Sequence, residues 1–245
     1  MQKQNFFLRP AFYVITVVYI VLGYLTLAMG DQVASVGLSE DHYFENLGAI
    51  GLFVASGFSF WAFLRARKLP ASGGMSTIKQ LVYLGLALVF FFLAAEEISW
   101  GQRIFNLATP QALEQQNDQG EINIHNLTAL ENSGLFRPDR MFDVFWAVFV
   151  VAIPAVSMLG GRFQNVATRF VPVVHWGLGS LFVFNYLLAK VAKAVLSASY
   201  TYGRVVPFTQ AVQEVKESNY ELLFAFVALY LLLDLKRLEG DESKS

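Results

Sequence analysis

Apolar residues gather into six long stretches, at about 11–29, 45–64, 80–99, 142–160, 169–190 and 216–235, and polar residues fill the connections between them. Each stretch approaches the roughly 20 apolar residues that a helix needs to cross a bilayer. Strand-length segments with alternating faces, the mark of a membrane barrel, are missing from these regions. The pattern therefore predicts an all-α membrane protein, a bundle of about six transmembrane helices with a long outer loop, 100–141, between the third and fourth. Residues 1–237 are expected to form a single polytopic domain and 238–245 a polar cytoplasmic tail. The uncharged run from Pro10 to Gly30 exceeds the core of a usual signal peptide, so it reads as the first span.

Composition agrees with this reading. Apolar residues make up 55% of the chain and charged residues 15%, and the mean hydropathy is +0.46. The formal net charge is only −1, and no basic cluster stands out, so nucleic acid is not an expected partner. The chain has no cysteine, which removes disulfides, thiolate nucleophiles and cysteine metal sites together.

Charge sets the expected orientation. Lys3, Arg9, Arg65, Arg67, Lys68, Lys79, Arg162, Arg169, Lys236, Arg237 and Lys244 fall on one side if the chain starts inside, and they are the larger share of the basic residues. By the positive-inside rule both termini are then cytoplasmic. Most of the acids fall on the other side, where solvation of the loops is the plain explanation.

Two groups of acids lie closer to the bilayer than solvation requires. The uncharged stretch between Gln80 and Glu96 covers roughly 22 Å of helix, short of a ~30 Å hydrocarbon core, so Glu96 and Glu97 sit at its outer edge. Glu221 and Asp234 are separated by roughly 18 Å of helix, which submerges Glu221 in the outer leaflet, with Glu217 one turn above it. A carboxylate at that depth normally faces a protein interior with a partner, and Lys190, Lys193 or Arg204 is the plainest one. Asp41 and Glu45 share a face at the outer end of the second span.

The loop after the third span is patterned too. Thr109 followed by Pro110 predicts a short helix over PQALEQQ. From Asn117, residues Asn117, Gln119, Glu121, Asn123 and His125 recur at period two. An extended segment would put them on one face and anchor Ile122 and Ile124 on the other; a helical reading pairs Glu121 with His125 at i and i+4.

EEISWGQRIF, followed by N-x-Q-x-E-x-N-x-H-N from Asn117 to Asn126, resembles the signature of a family of bacterial multi-pass membrane proteins. The resemblance covers about 30 residues. It implies a bacterial inner-membrane protein and carries no activity with it. Ceramidase-like and adiponectin-receptor-like intramembrane hydrolases use several histidines, and only His42, His125 and His175 occur here, with His175 near the inner end of the fifth span and too deep to join the other two, so the chain is not assigned to those families.

The expected site is an outward-facing polar pocket at the membrane surface. Glu96, Glu97, Glu121 and Arg103 are its candidate catalytic residues. His125, Glu121, Glu217 and Glu221 are candidate ligands for a divalent cation, since carboxylates with one imidazole suit Mn²⁺ or Zn²⁺. Gln102, Asn117, Gln119, Asn123, Asn126 and Glu45 complete the polar wall. A metal would activate a water for attack on a lipid or lipid-linked substrate. Without one, crowded carboxylates can divide acid and base roles between them. The alternatives are a non-catalytic assembly or binding protein, and a proton- or cation-coupled transporter. A transporter would need polar groups near the midplane, where only Ser56, Ser180 and Asn185 are placed. Gly48, Gly51, Gly57, Gly177 and Gly179 read as close helix contacts.

Overall fold

The computed structural model describes residues 7, 9–38, 43–69, 75–102, 104–117, 120–125 and 127–242. Its regular structure among these is helical: α1 (Pro10–Leu25), α2 (Asp31–Leu38), α3 (Tyr43–Ala66), α4 (Thr77–Glu97), α5 (Gln111–Glu114), α6 (Thr128–Glu131), α7 (Pro138–Trp146), α8 (Ile153–Met158), α9 (Gly161–Phe170), α10 (Trp176–Val195) and α11 (Phe208–Glu242). Six helical stretches are long and apolar enough to cross a membrane, carried by α1, α3, α4, the continuous α7–α8 segment, α10 and α11. Phe7 packs on Tyr230 in the later part of α11 (5.8 Å between ring centroids), and the end of the bundle where they meet is called here the terminal end; Glu97, Glu217 and Glu221 lie toward the opposite end.

The bundle is built around α11. Of its spanning window 67% is buried, against 22–39% for the others, so α11 is the central helix and the rest pack around it. Small residues let α3 approach it. A Cβ at Gly51 would stand 3.1 Å from the Glu221 carbonyl and the Leu222 nitrogen, and one at Gly48 would fall on the Glu221 carboxylate. Gly57 has open space around it and is not a contact of this kind.

The fourth span changes pitch where sequence demands it. Pro154 has no N–H to give to the Val150 carbonyl, and residues Ala147–Ala152 widen into a π turn just before it. The freed carbonyl is met by α10, where a Cβ at Gly179 would lie 2.2 Å from Val150 O. The fifth span starts at Trp176, later than hydropathy places it. Val171, ahead of Pro172, is extended (φ −129°, ψ 140°), so 161–170 folds as a separate helix. That helix docks on the start of α4 through Ser76 Oγ, which donates to Arg169 O (2.7 Å), and Lys79 Nζ, which donates to Thr168 O (3.0 Å).

Two polar ties sit inside the apolar bundle. Asn185 accepts from Tyr24 Oη (2.9 Å) and Asn219 Nδ2 (3.1 Å) and donates to Lys216 O (2.9 Å), joining α1, α10 and α11 among buried side chains. Lys216 Nζ pairs with Asp143 Oδ2 at 3.6 Å, and Trp146 Nε1 donates to Asp143 Oδ1 at 2.9 Å. At the terminal end, His175 Nδ1 accepts from the Gly177 N–H (3.2 Å) and faces Tyr13 Oη (3.4 Å). Burial pushes its imidazole below the usual histidine range, which keeps it neutral in this role.

Gly179→Ala is expected to destabilise the bundle by about 1–3 kcal/mol, because the rigid π turn leaves the new methyl no space. Thermal unfolding in detergent reads this, and an unchanged midpoint would contradict the close contact.

Candidate functional site

The acid-bearing end is organised by the turn that ends α4. Ser99, Trp100 and Gly101 all have positive φ, at +45°, +55° and +76°. Left-handed backbone costs a non-glycine residue about 1–2 kcal/mol, and here two such residues are held in it by side-chain bonds to carboxylates. Trp100 Nε1 donates to Glu96 Oε1 at 2.5 Å. Ser99 Oγ donates to Glu121 Oε2, which also accepts from Asn123 Nδ2 at 2.8 Å.

Glu96 then reaches across to the returning loop. Its Oε2 accepts from the backbone N–H groups of Ile124 (2.6 Å) and His125 (2.9 Å) and faces His125 Nδ1 at 3.3 Å. Gln102 adds a second bridge, accepting from the Ile122 N–H (2.6 Å) and donating to Thr109 Oγ1 (2.6 Å), which donates to Gly120 O (2.7 Å). Asn117 Nδ2 donates to the Asn123 carbonyl and Oδ1 at 2.9 and 2.7 Å, and Asn117 Oδ1 accepts from the Glu121 N–H at 3.2 Å. The turn at 96–102 and the loop segment ending at His125 are thus the two halves of one latch.

This corrects the extended strip. Residues 121–125 bend and turn, with Asn117, Glu121 and Asn123 buried against one another; Ile124 is exposed. Glu121 and Asn123 turn inward onto Ser99, and His125 onto Glu96. Thr109 does not cap the short helix, which begins after Pro110; its hydroxyl serves the latch instead. The 98–137 connection is therefore a folded segment of short helical turns, with Ile104, Phe105 and Leu107 exposed on it.

Beside the latch lies a cleft of about 570 Å³. Glu96, Glu97 and Leu93 line it from α4, Pro138, Asp139 and Phe142 from α7, and Gln213, Glu214, Glu217 and Glu221 from α11. His125, Arg137 and Lys193 complete the wall. Arg137 pairs with Asp139 at 3.1 Å, and Glu217 accepts from Gln213. Glu45 is half-buried and lies within electrostatic reach of Glu97, Glu214 and Glu221. An aromatic layer lies under the cleft, centred on Phe224, one turn past Glu221 on α11. Phe224 meets Phe90, Phe142, Phe145 and Phe182 at ring-centroid distances of 5.0, 5.8, 5.4 and 5.0 Å.

Of the candidate catalytic residues, Glu97 faces the cleft, Glu96 has both oxygens engaged in the latch, and Glu121 lies within the latch and away from the cleft wall. Arg103, Gln119 and Asn126 lie outside the described residues, as do Asp41 and His42. The candidate metal set is not assembled. His125, Glu217 and Glu221 line the cleft, whereas Glu121 is turned onto Ser99 and Asn123, and among the described residues no group of three or more His, Asp or Glu side chains is arranged to hold a metal ion. The sequence pattern does not mark Ser99 or the phenylalanine layer, whereas Lys193, expected as a partner for Glu221, does line the cleft. The only hint of Ser99 is its place between the two carboxylates and Trp100-Gly101.

The donors converging on Glu96 make its oxygens acceptors, so His125 Nδ1 carries its hydrogen toward Glu96 and leaves Nε2 as the ring's basic nitrogen. Glu96→Ala is expected to free the loop, costing about 2–4 kcal/mol through lost charge-assisted bonds. Hydrogen exchange checks it: the Ile124 and His125 amides should lose protection, and unchanged protection would refute the latch. No protein-family model, curated protein or solved structure matches this chain.

Proposed function

We propose that the cleft is the active site of a membrane-embedded hydrolase or transferase that acts on a lipid or lipid-linked substrate by metal-free acid–base chemistry. The observation that carries this reading is His125, fixed through Nδ1 by Glu96 on the wall of a cleft lined with carboxylates. In this scheme Nε2 takes the proton of a water or acceptor hydroxyl as its oxygen attacks the ester, amide or phosphate centre. A protonated carboxyl from Glu217, on the same cleft wall, gives its proton to the leaving group. Leu93, Pro138 and Phe142 on the same wall suit the apolar part of such a substrate. The bacterial inner membrane, with the cleft outward and the termini cytoplasmic, is the location that charge distribution and the sequence signature favour.

A non-catalytic binding or assembly role is the second reading. It is favoured by the engagement of Glu96 and Glu121 in holding the loop. Transport ranks lower. Below Glu221 the central helix is apolar as far as Asp234, and the aromatic layer around Phe224 begins one turn past it.

The test is turnover of a membrane-lipid extract followed by mass spectrometry, native protein against His125→Ala. A lipid species consumed by the native protein and lost at least about 100-fold more slowly with the variant is the expected result. Equal consumption by both, at equal folded content, would leave the binding role.

A further inference from the structure

Among the described residues, two carboxylates that line the cleft have no hydrogen-bond or ion-pair partner. Glu221 is only 4% exposed, lines the cleft, and among the described residues accepts no hydrogen bond and meets no cation. Glu97, half-buried at the end of α4, lines the same cleft and likewise accepts no hydrogen bond among the described residues. Their neighbours differ: Glu96 is held by the latch, Glu217 by Gln213, Glu214 by Gln210, and Arg137 is taken up by Asp139. The seat for Glu221 is built into the packing, since a Cβ at Gly48 would stand 1.7 Å from its Oε2. A buried carboxylate without a partner is costly, and a fold that keeps one aimed into a cavity has room for the partner to arrive from outside.

We propose that the cleft takes a positively charged ammonium group, seated between Glu97 and Glu221, as the head of an amphiphile. The proposal rests on the cleft being the working site, and it names the substrate class for that site. Charge supports the sign, because Lys193 is the one cation on the wall without a carboxylate partner among the described residues, set against Glu97, Glu214, Glu217 and Glu221. Shape supports the amphiphile. Leu93, Pro138 and Phe142 line the side where α4 and α7 face each other, and Phe92, Met141 and Val144 are exposed on those two helices. An ammonium head among the acids would leave its chains along that apolar wall, in contact with lipid. An ammonium forms charge-assisted hydrogen bonds or close ionic contacts with both carboxylates, so neutralising either one weakens binding.

The test uses the full chain in neutral maltoside micelles and native mass spectrometry. The probes are dioleoyl-trimethylammonium-propane, dioleoylglycerol as the uncharged lipid of the same chains, and tetramethylammonium as the head alone. The expected result is one cationic lipid retained per chain, at least about tenfold over dioleoylglycerol, and a loss of about tenfold or more in Glu97→Gln/Glu221→Gln. The single variants, which keep side-chain shape, carry the comparison if the double variant does not fold. Displacement of the lipid by tetramethylammonium at similar concentration would keep the ammonium site and assign it to a soluble amine. Equal retention of the two lipids, or retention unchanged by the substitutions, would overturn the proposal. The two readings separate cleanly: ammonium binding with turnover indifferent to His125 sinks the acid–base scheme alone, and His125-dependent turnover without ammonium binding sinks this proposal alone.

Discussion

The carboxylate of Glu96 is the constraint on which the acid-bearing end depends. It stands at the last turn of a spanning helix and gathers an indole N–H, two backbone N–H groups and an imidazole from two separate segments. Charge-assisted bonds of this kind are among the strongest available to a polar group that is shielded from water. They offset a left-handed turn at Ser99 and Trp100 that the backbone alone would not adopt. In exchange the loop is fixed, and His125 is placed on the cleft wall with one nitrogen already engaged.

The rest of the bundle separates a polar end from an apolar one. α11 carries Glu214, Glu217 and Glu221 on successive turns and then runs apolar to Asp234. Phe224, one turn past Glu221, is the centre of the aromatic layer, so the change from acid to hydrocarbon happens within a single turn. Aromatic rings fill wide spacings between helices that small residues would draw together, and this leaves the cleft its width above the layer. On the opposite flank, Gly48 and Gly51 draw α3 close and fix where Glu221 can lie. The Tyr24–Asn185–Asn219 tie holds α1 and α10 against the same helix.

Much of this was legible in the sequence, in proportion to how directly hydropathy reports it. The six spans follow from apolar length, and the gathering of Glu97, Glu217 and Glu221 follows from counting residues along helices. The start of α11 at Phe208 was hidden because its first turns are polar, and the start of α10 because Pro172 divides an apolar run that hydropathy joins. The polar alternation is legible as a pattern, but neither the extended nor the helical geometry it suggests is the one adopted, since residues 121–125 bend and turn. Nothing in Ser99-Trp100 announces left-handed backbone, and without that turn the inward aim of Glu121 and Asn123 could not be inferred. Tyr24 and Asn219 were missed because a single polar residue in a span has no periodicity to mark its partner.

Accessibility of single cysteines tests the central claim most directly, and a chain without cysteine makes the labelling unambiguous. Gln213→Cys lies on the cleft wall, and Ala228→Cys lies one turn beyond the aromatic layer with 1% exposure. In sealed vesicles, a membrane-impermeant thiol reagent should modify position 213 from one side only and leave position 228 unmodified from either side. Labelling of position 228, or of position 213 from both sides, would mean that the polar cleft continues through the membrane, and would contradict a site closed by its phenylalanine floor.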